Sequence, residues 1–256
     1  MICKSRALIR LISFAILMTL LSLSVPLFRI FTGSKMAFSV HRQGMLIMHQ
    51  ILGIRLNIIG NLPDKPAMIM CNHPSYFDIF YNIGKHPAVM VVGHQFKKWP
   101  FIGWLGMALN TIWVNRTNPN ARKKVRSDII QTINNGLCVY VCPEGRTSGS
   151  HCIHEVKPGL FHDAKENKIP IVFYSFWYHS KDFPYFHDLK SGFLSHLFSH
   201  LWRALKNKNV TVDMRISSPR KIHSAESGML DFYRFNAWHL RRAADVQNIV
   251  NPNILT

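Results

Sequence analysis

The sequence predicts an α/β fold in which a mostly parallel central sheet is flanked by helices, with an N-terminal membrane-inserted helix or helical hairpin. Three observations support this prediction. After residue 53, short apolar runs typical of buried strands alternate with helical patterns. The run at 67–71 stops at polar residues, as a strand does at its exposed end. The 18 residues at 11–28 carry no charge, which is typical of a membrane segment.

Residues 1–52 are predicted to anchor the chain in a membrane. As a helix, 11–28 would be about 27 Å long at about 1.5 Å per residue, just short of a hydrocarbon core of about 30 Å. Charge does not orient it, because basic residues lie on both sides: Lys4, Arg6, Arg10, Arg29, Lys35, Arg42. A second apolar patch, Met45–Leu52, is too short to cross. A hairpin that enters one leaflet and returns fits both facts, and a single crossing helix or a signal peptide are the alternatives.

Residues 53–256 are predicted to form one catalytic domain. Its predicted strands are Ile54–Ile59, Pro66–Cys71, Val89–Gly93, Thr111–Val114, Leu137–Val141, Ile169–Ser175 and Val210–Ile216. A helix is predicted over Pro119–Asn135, with Asn118 as its N-cap and Gly136 after its end. A tail helix over 225–248 is expected to pack on the domain or on lipid.

The charge balance indicates an anionic partner. The chain has 31 Lys and Arg against 13 Asp and Glu, a formal charge of +18. The sequence lacks a nucleic-acid-binding fingerprint, so anionic membrane lipids are expected and nucleic acid is not. On the Pro119–Asn135 helix, the basic face is either a solvated surface or a contact with lipid headgroups or an acidic carrier protein; its members are Arg122, Lys123, Lys124 and Arg126.

The five cysteines, an odd number without a regular framework, indicate free thiols in a reducing compartment. Four neighbouring residues are of metal-ligating type, but their spacing matches no zinc pattern: Cys142, His151, Cys152, His154. No metal and no bound cofactor are therefore expected.

The segment at 72–78 holds the candidate catalytic pair. His73 follows the buried run, and an imidazole can take up and return a proton near neutral pH. Asp78, five residues later, can hold one ring nitrogen and stabilise the imidazolium. The alternative is that His73 caps a short helix and Asp78 is an ordinary first-turn acid. Ser75 is interpreted as a capping or loop residue, since no nucleophile elbow is present.

Four motifs occur in a fixed order along the chain: Asn72-His73 with Asp78, Thr111–Arg116, Pro143–Ser148 and Ile169–Val172. In this combination the chain resembles the glycerolipid acyltransferase family, whose bacterial type member converts lysophosphatidic acid to phosphatidic acid. The resemblance covers residues from about 53 to about 216.

The resemblance implies transfer of a fatty acyl group from acyl carrier protein or coenzyme A to the hydroxyl of a lysophospholipid, most simply 1-acyl-sn-glycerol-3-phosphate. His73 would be the general base and Asp78 its orienting acid. Residues implied to bind substrate are Asn72, Arg116, Glu144, Gly145, Arg146 and Thr147. The enzyme would sit in the inner membrane with its domain facing the cytosol. Alternatives are another acceptor, such as lyso-ornithine lipid, or a catalytically silent lipid-binding protein.

Three departures from the family pattern affect the residues that would hold phosphate. The common family order is Glu-Gly-Thr-Arg, whereas this chain has Arg146 before Thr147. The second motif usually has aspartate where this chain has Asn115, and His94 stands near a usual lysine position. These departures leave His73 untouched, so acyl transfer is predicted more firmly than the acceptor.

Overall fold

A single seven-stranded sheet organises the chain in a computed structural model that describes residues 2–115, 118–150, 152–186 and 193–243. The strands are β1 (Ile54–Ile59), β2 (Met68–Cys71), β3 (Ala88–Gly93), β4 (Ile112–Val114), β5 (Cys138–Val141), β6 (Ile171–Tyr178) and β7 (Val210–Ile216). Their order across the sheet is β1-β7-β6-β2-β5-β3-β4. Five of the six neighbouring pairs are parallel and only β6 with β7 is antiparallel. The predicted mostly parallel sheet is confirmed.

Helices cover the sheet and precede it. They are α1 (Ile2–Thr32), α2 (Ser34–Leu52), α3 (Ile102–Ala108), α4 (Pro119–Asn134), α5 (Gly159–Glu166), α6 (Phe193–Lys206) and α7 (Ala225–Ala243). Two short 3-10 helices lie at Tyr76–Tyr81 and His94–Lys98. The tail prediction extended to residue 248, and its part beyond 243 lies outside the described residues.

The central strands are buried on both faces, as their continuous apolar sequences predict. Every residue of β2 and β5 is buried, and β6 is buried along almost its whole length. At the outer edge, β1 buries only Ile54 and exposes most of its remainder. Strand β6 continues to Tyr178, three residues beyond the predicted end, because 174–178 pair with β7.

Helix α4 begins and ends as its sequence predicts. The Asn118 side chain accepts hydrogen bonds from the backbone N–H groups of residues 120 and 121, and Gly136 follows the helix with φ +83°. Val125, Ile129 and Ile133 are buried. Of the predicted basic face, Arg126 instead forms a two-pronged ion pair with Asp163 of α5, and Lys124 pairs with Asp128. Only Arg122 and Lys123 remain as an unpaired exposed patch on this part of the described helix.

The first two helices form a hairpin that turns at Gly33 and packs on the domain. Helix α1 is long and apolar enough to cross a membrane, a property that core helices and signal sequences share. Its N-terminal end is bound to the end of α6, because Arg6 and Arg10 donate to backbone carbonyls at 205–208. Farther along, Phe14 packs edge-on against Phe80 at 6.2 Å. The division of the chain into an anchor at 1–52 and a domain at 53–256 stays a prediction.

Helix α7 packs on the sheet. Phe232 contacts Phe173 of β6 at 5.5 Å and Phe161 of α5 at 6.4 Å between ring centroids. The described part of the tail therefore belongs to the core of the domain.

Candidate active site

The carboxyl ends of β2, β5 and β6 meet at one edge of the sheet and place the predicted motifs side by side. His73 follows β2, Glu144 follows β5 and Tyr178 ends β6. These three strands are adjacent and parallel. Parallel strands bring their following loops to a common crevice, which is where such folds bind ligands.

The predicted pair is in contact. His73 Nδ1 lies 2.8 Å from Asp78 Oδ2, within hydrogen-bond range. Asp78 is almost completely buried, whereas the His73 side chain is 19% exposed. Among the described residues no group is hydrogen-bonded to the second ring nitrogen, Nε2. The imidazole is therefore held from one side and open to a substrate from the other, as a general base requires.

The local sequence explains why the acid reaches the base. Ser75 is the N-cap of the 3-10 helix that begins at Tyr76, and its backbone N–H donates to Asp78 Oδ2 at 3.0 Å. Asp78 is thus a first-turn acid and also the hydrogen-bond partner of His73, whereas the N-cap is Ser75 and not His73. A catalytic role for the pair stays a prediction. The Ser75 hydroxyl accepts from the backbone N–H of Phe77 at 3.4 Å, which confirms its interpretation as a capping residue, and it donates to the carbonyl of Phe183 at 2.6 Å.

Two tyrosines that the sequence analysis did not single out also hold Asp78. The Tyr178 hydroxyl donates to Asp78 Oδ1 at 2.6 Å, and the Tyr140 hydroxyl donates to the Asp78 backbone carbonyl at 3.1 Å. Burial raises the pKa of Asp78, and the hydrogen bonds from His73, Tyr178 and Ser75 oppose that rise. The sequence did offer one clue to Tyr178, because this residue ends the strand that follows the third motif, at the same edge of the sheet as His73.

Glu144 connects the two loops of the site. Its Oε1 accepts from the backbone N–H of His73 at 2.9 Å and its Oε2 from that of His154 at 2.7 Å. Only 5% of the residue is exposed. Burial raises its pKa to about 7, although the two N–H donors and His73 act in the opposite direction. Because both oxygens are used by backbone donors, this glutamate organises the loop that carries His73.

The rest of the third motif divides between surface and interior. Gly145 has φ +71°, and its N–H donates to the carbonyl of Cys142 at 3.0 Å. Arg146 is exposed. Burial lowers the pKa of His154, and the charge of Arg146 lowers it further. Thr147 is buried, and its hydroxyl lacks a hydrogen-bond partner among the described residues. The reversed order therefore puts threonine, and not arginine, in the buried position.

The Asn72 side chain is bound to a neighbouring strand, and the last residue of the second motif lies outside the described residues. Asn72 is buried, and its side-chain amide exchanges two hydrogen bonds with the backbone of Phe176 at 2.8 and 3.1 Å. A contact between Asn72 and substrate stays a prediction, because the amide is already used between strands. Arg116 lies outside the described residues. The strand before it, β4, is three positions from β2 in the sheet, roughly 14 Å at about 4.8 Å per strand.

Two further histidines are hydrogen-bonded to residues other than Asp78. Two histidines that showed no evident partner in sequence have one: His200 Nδ1 lies 2.9 Å from the Tyr76 hydroxyl, and His179 Nε2 lies 2.8 Å from Asp213. Within the described ranges, no three His, Cys, Asp or Glu side chains form a cluster that would hold a metal ion. His151, one member of the sequence group considered above, is outside those ranges.

Residues 53–177 match the family model described as Acyltransferase. A 1-acyl-sn-glycerol-3-phosphate acyltransferase of Neisseria gonorrhoeae is 28% identical over 115 residues, which is 44% of this chain and 45% of that protein. The protein of the same description from Saccharomyces cerevisiae is 32% identical over 141 residues, 49% of this chain and 44% of the yeast protein. This chain thus spans less than half the length of these two relatives. A lyso-ornithine lipid O-acyltransferase of Pseudomonas aeruginosa is 22% identical over 170 residues, which is 66% of this chain and 64% of that protein.

The fold has a counterpart among solved structures. The 1-acyl-sn-glycerophosphate acyltransferase PlsC from Thermotoga maritima superposes with a TM-score of 0.68 at 19% identity, covering 93% of this chain and 97% of the other. That similarity includes the N-terminal helices and supports the fold alone. Residues 53–177 therefore resemble the family described as Acyltransferase, and the chain shares its fold with the solved PlsC structure.

Proposed function

We propose that this chain is a membrane-associated O-acyltransferase that transfers a fatty acyl group from acyl carrier protein or coenzyme A to the free hydroxyl of a lysophospholipid. The simplest acceptor is 1-acyl-sn-glycerol-3-phosphate. The observation that carries the proposal is the 2.8 Å contact between His73 Nδ1 and the buried Asp78, with Nε2 open. The comparisons supply the reaction class, since relatives of both acceptor types are named acyltransferases.

The chemistry follows from this arrangement. His73 Nε2 takes the proton of the acceptor hydroxyl while the oxygen attacks the thioester carbonyl carbon. Asp78 stabilises the imidazolium that forms. The tetrahedral intermediate then expels the thiolate, which takes the proton from His73, and the products are an ester and a free thiol. Direct attack is preferred to an acyl-enzyme because the Ser75 hydroxyl is buried and donates to the Phe183 carbonyl.

A membrane location is supported by the surface of α1. Large apolar side chains are exposed at spacings of three or four residues along one face: Leu8, Ile12, Ile16, Leu20, Leu23, Leu27. The opposite face is packed against protein through Ala7, Leu21 and Val25. A helix that is bound along one side and apolar along the other is suited to lie in one leaflet. The hairpin would then keep the domain on the cytosolic side of the inner membrane, where the acyl donors are.

Limited proteolysis tests this orientation. In spheroplasts, where protease reaches only the periplasmic side, the full-length chain is expected to survive. In inverted vesicles it is expected to be cut. Digestion from the periplasmic side would contradict the one-leaflet hairpin.

A His73→Ala variant tests the catalytic proposal. Loss of the general base is expected to lower the rate of acyl transfer by at least about 100-fold. The matched control is His162→Ala, which removes an exposed histidine on α5. Both variants are assayed in purified membranes with acyl carrier protein and coenzyme A thioesters. A His73→Ala enzyme as active as the parent would show that His73 is not the base. A parent that binds membranes but transfers no acyl group would leave the silent lipid-binding protein as the better interpretation.

A second acceptor is favoured by a specific observation. The buried position of the third motif holds Thr147 and not arginine, which weakens the cationic contact that a phosphate monoester needs. Relatives named lyso-ornithine lipid O-acyltransferases match the chain as well. Radiolabelled lysophosphatidate and lyso-ornithine lipid, offered separately and in competition, distinguish the two acceptors.

A further inference from the structure

Tyr178 is the part of the site that neither the motifs nor the mechanism above accounts for. It is the last residue of β6 and is 1% exposed. Its ring stacks on Phe183 at a centroid distance of 5.8 Å and lies 6.0 Å from the ring of Tyr81. A ring packed on both sides has little rotational freedom, so its hydroxyl is delivered to one place, Oδ1 of Asp78 at 2.6 Å.

The two carboxylate oxygens of Asp78 have different partners. Oδ2 accepts from His73 Nδ1 and from the backbone N–H of Ser75. Oδ1 accepts from Tyr178. A carboxylate has one torsion about which its oxygens exchange places, and the Tyr178 contact fixes that torsion from the far side. Without it, a buried anionic oxygen would lose a donor, which is costly in a low-dielectric site.

We propose that Tyr178 is a positioning residue for acyl transfer, which holds Oδ2 of Asp78 toward His73 and stabilises the negative charge of the unprotonated His73–Asp78 pair. This inference rests on the proposed function and deepens it. The active form of the pair has a neutral imidazole and an ionised carboxylate, and so carries a full negative charge. Protonation of His73 neutralises that charge. A donor on Oδ1 therefore favours the active form more than the protonated one.

Other titratable groups face Asp78 and remain in place when Tyr178 is changed. They come from the loop after β2, the 3-10 helix, β5 and the loop after β5: His73, Tyr81, Tyr140, Cys142, Glu144. Tyr140 donates to the Asp78 backbone carbonyl and Glu144 accepts from backbone N–H groups, so neither replaces the donor on Oδ1.

The experiment compares Tyr178→Phe with the parent over pH 5–9. In the variant, kcat is expected to fall about 10-fold, while KM stays within twofold of the parent value. The acidic limb of the kcat/KM profile is expected to move about 0.5 to 1 pH unit upward, because the His73–Asp78 pair then takes up a proton more easily. The matched control is Tyr174→Phe, which removes a buried hydroxyl from the same strand. Tyr174 packs edge-on against Tyr140 at 6.0 Å and does not contact Asp78. The acidic limb of the kcat/KM profile of Tyr174→Phe is expected to match that of the parent.

A second change keeps the result decisive if Tyr178→Phe folds poorly. Incorporation of 3-fluorotyrosine at 178 keeps the shape of the ring and makes its hydroxyl a stronger donor, so the acidic limb is expected to move to lower pH. An acidic limb that stays at the parent position in both variants overturns the inference. If His73→Ala is inactive in that case, the proposed function stands without it. If His73→Ala is active, the assignment of His73 as the base is wrong, and a parent without acyl transfer would show that the proposed function itself is wrong.

Discussion

Glu144→Gln tests whether one buried carboxylate ties the histidine loop to the loop after β5. The parent side chain accepts from two backbone N–H groups, those of His73 and His154. An amide has one acceptor oxygen, so one of these N–H groups loses its partner. A buried unpaired N–H costs about 1–3 kcal/mol. At pH 5 we therefore expect the free energy of unfolding to be about 1–3 kcal/mol lower in the variant.

The pH dependence of this difference is the sharper part of the prediction. Burial raises the pKa of Glu144 from an ordinary 4.5 to about 7 in the folded protein. A carboxyl group with a raised folded-state pKa stabilises the fold fully below pH 4.5, and that stabilisation is lost as the pH rises through 7. The loss is roughly 3 kcal/mol at about 1.4 kcal/mol per pH unit. Glutamine does not titrate, so its deficit is expected to vanish or reverse at pH 8.

Chemical denaturation in detergent at pH 5, 6, 7 and 8 measures the effect. The matched control is Glu155→Gln, the same substitution at an exposed glutamate. Its difference from the parent is expected to stay below about 0.5 kcal/mol at every pH. The reasoning would be refuted if the free energies of unfolding of the parent and of Glu144→Gln differed by the same amount at all four pH values.

Three further predictions concern packing and the surface. Asp163→Ala removes the ion pair that joins α5 to Arg126 of α4, and denaturation is expected to show a loss of about 1–3 kcal/mol, since Asp163 is buried while Arg126 is 44% exposed. Gly60→Ala, at φ +108°, places a Cβ against a backbone carbonyl of β7, and a fall of the thermal midpoint by at least about 5 °C is expected in a melting scan. Reversing the charges of Arg122 and Lys123, the exposed unpaired part of the α4 face, is expected to weaken sedimentation with anionic vesicles at low salt, and unchanged binding would leave a merely solvated face.

The strands and the contact between His73 and Asp78 could be predicted because their determinants are local. A continuous apolar run predicts a buried strand, and the break at Asn72-His73-Pro74 predicts its exposed end. His73 lies two residues before the N-cap Ser75, and Asp78 lies in the first turn of the 3-10 helix, so the contact needs only local geometry.

The contacts of Tyr178 and Glu144 with the pair were not predictable in the same way. Tyr178 lies 100 positions from Asp78, and only the pairing of β6 beside β2 brings them together. Glu144 was expected to bind substrate. Its partners in the structure are backbone N–H groups, which a sequence cannot indicate because every residue type except proline has one. The ion pair of Arg126 was missed for a related reason, because its position in the helical pattern matched that of solvated neighbours while its partner lay on another helix.

The attachment of α1 to residues near the other end of the chain has a consequence for biosynthesis. Arg6 and Arg10 bind carbonyls at 205–208, and β1 pairs with β7. A ribosome that adds about 5–20 residues per second takes roughly 10–40 s to make the intervening 200. During that interval the N-terminal end of α1 lacks the carbonyls that it binds in the finished fold. Its attachment to the end of α6, together with the pairing of β1 with β7, is therefore among the last contacts that the chain can form during synthesis.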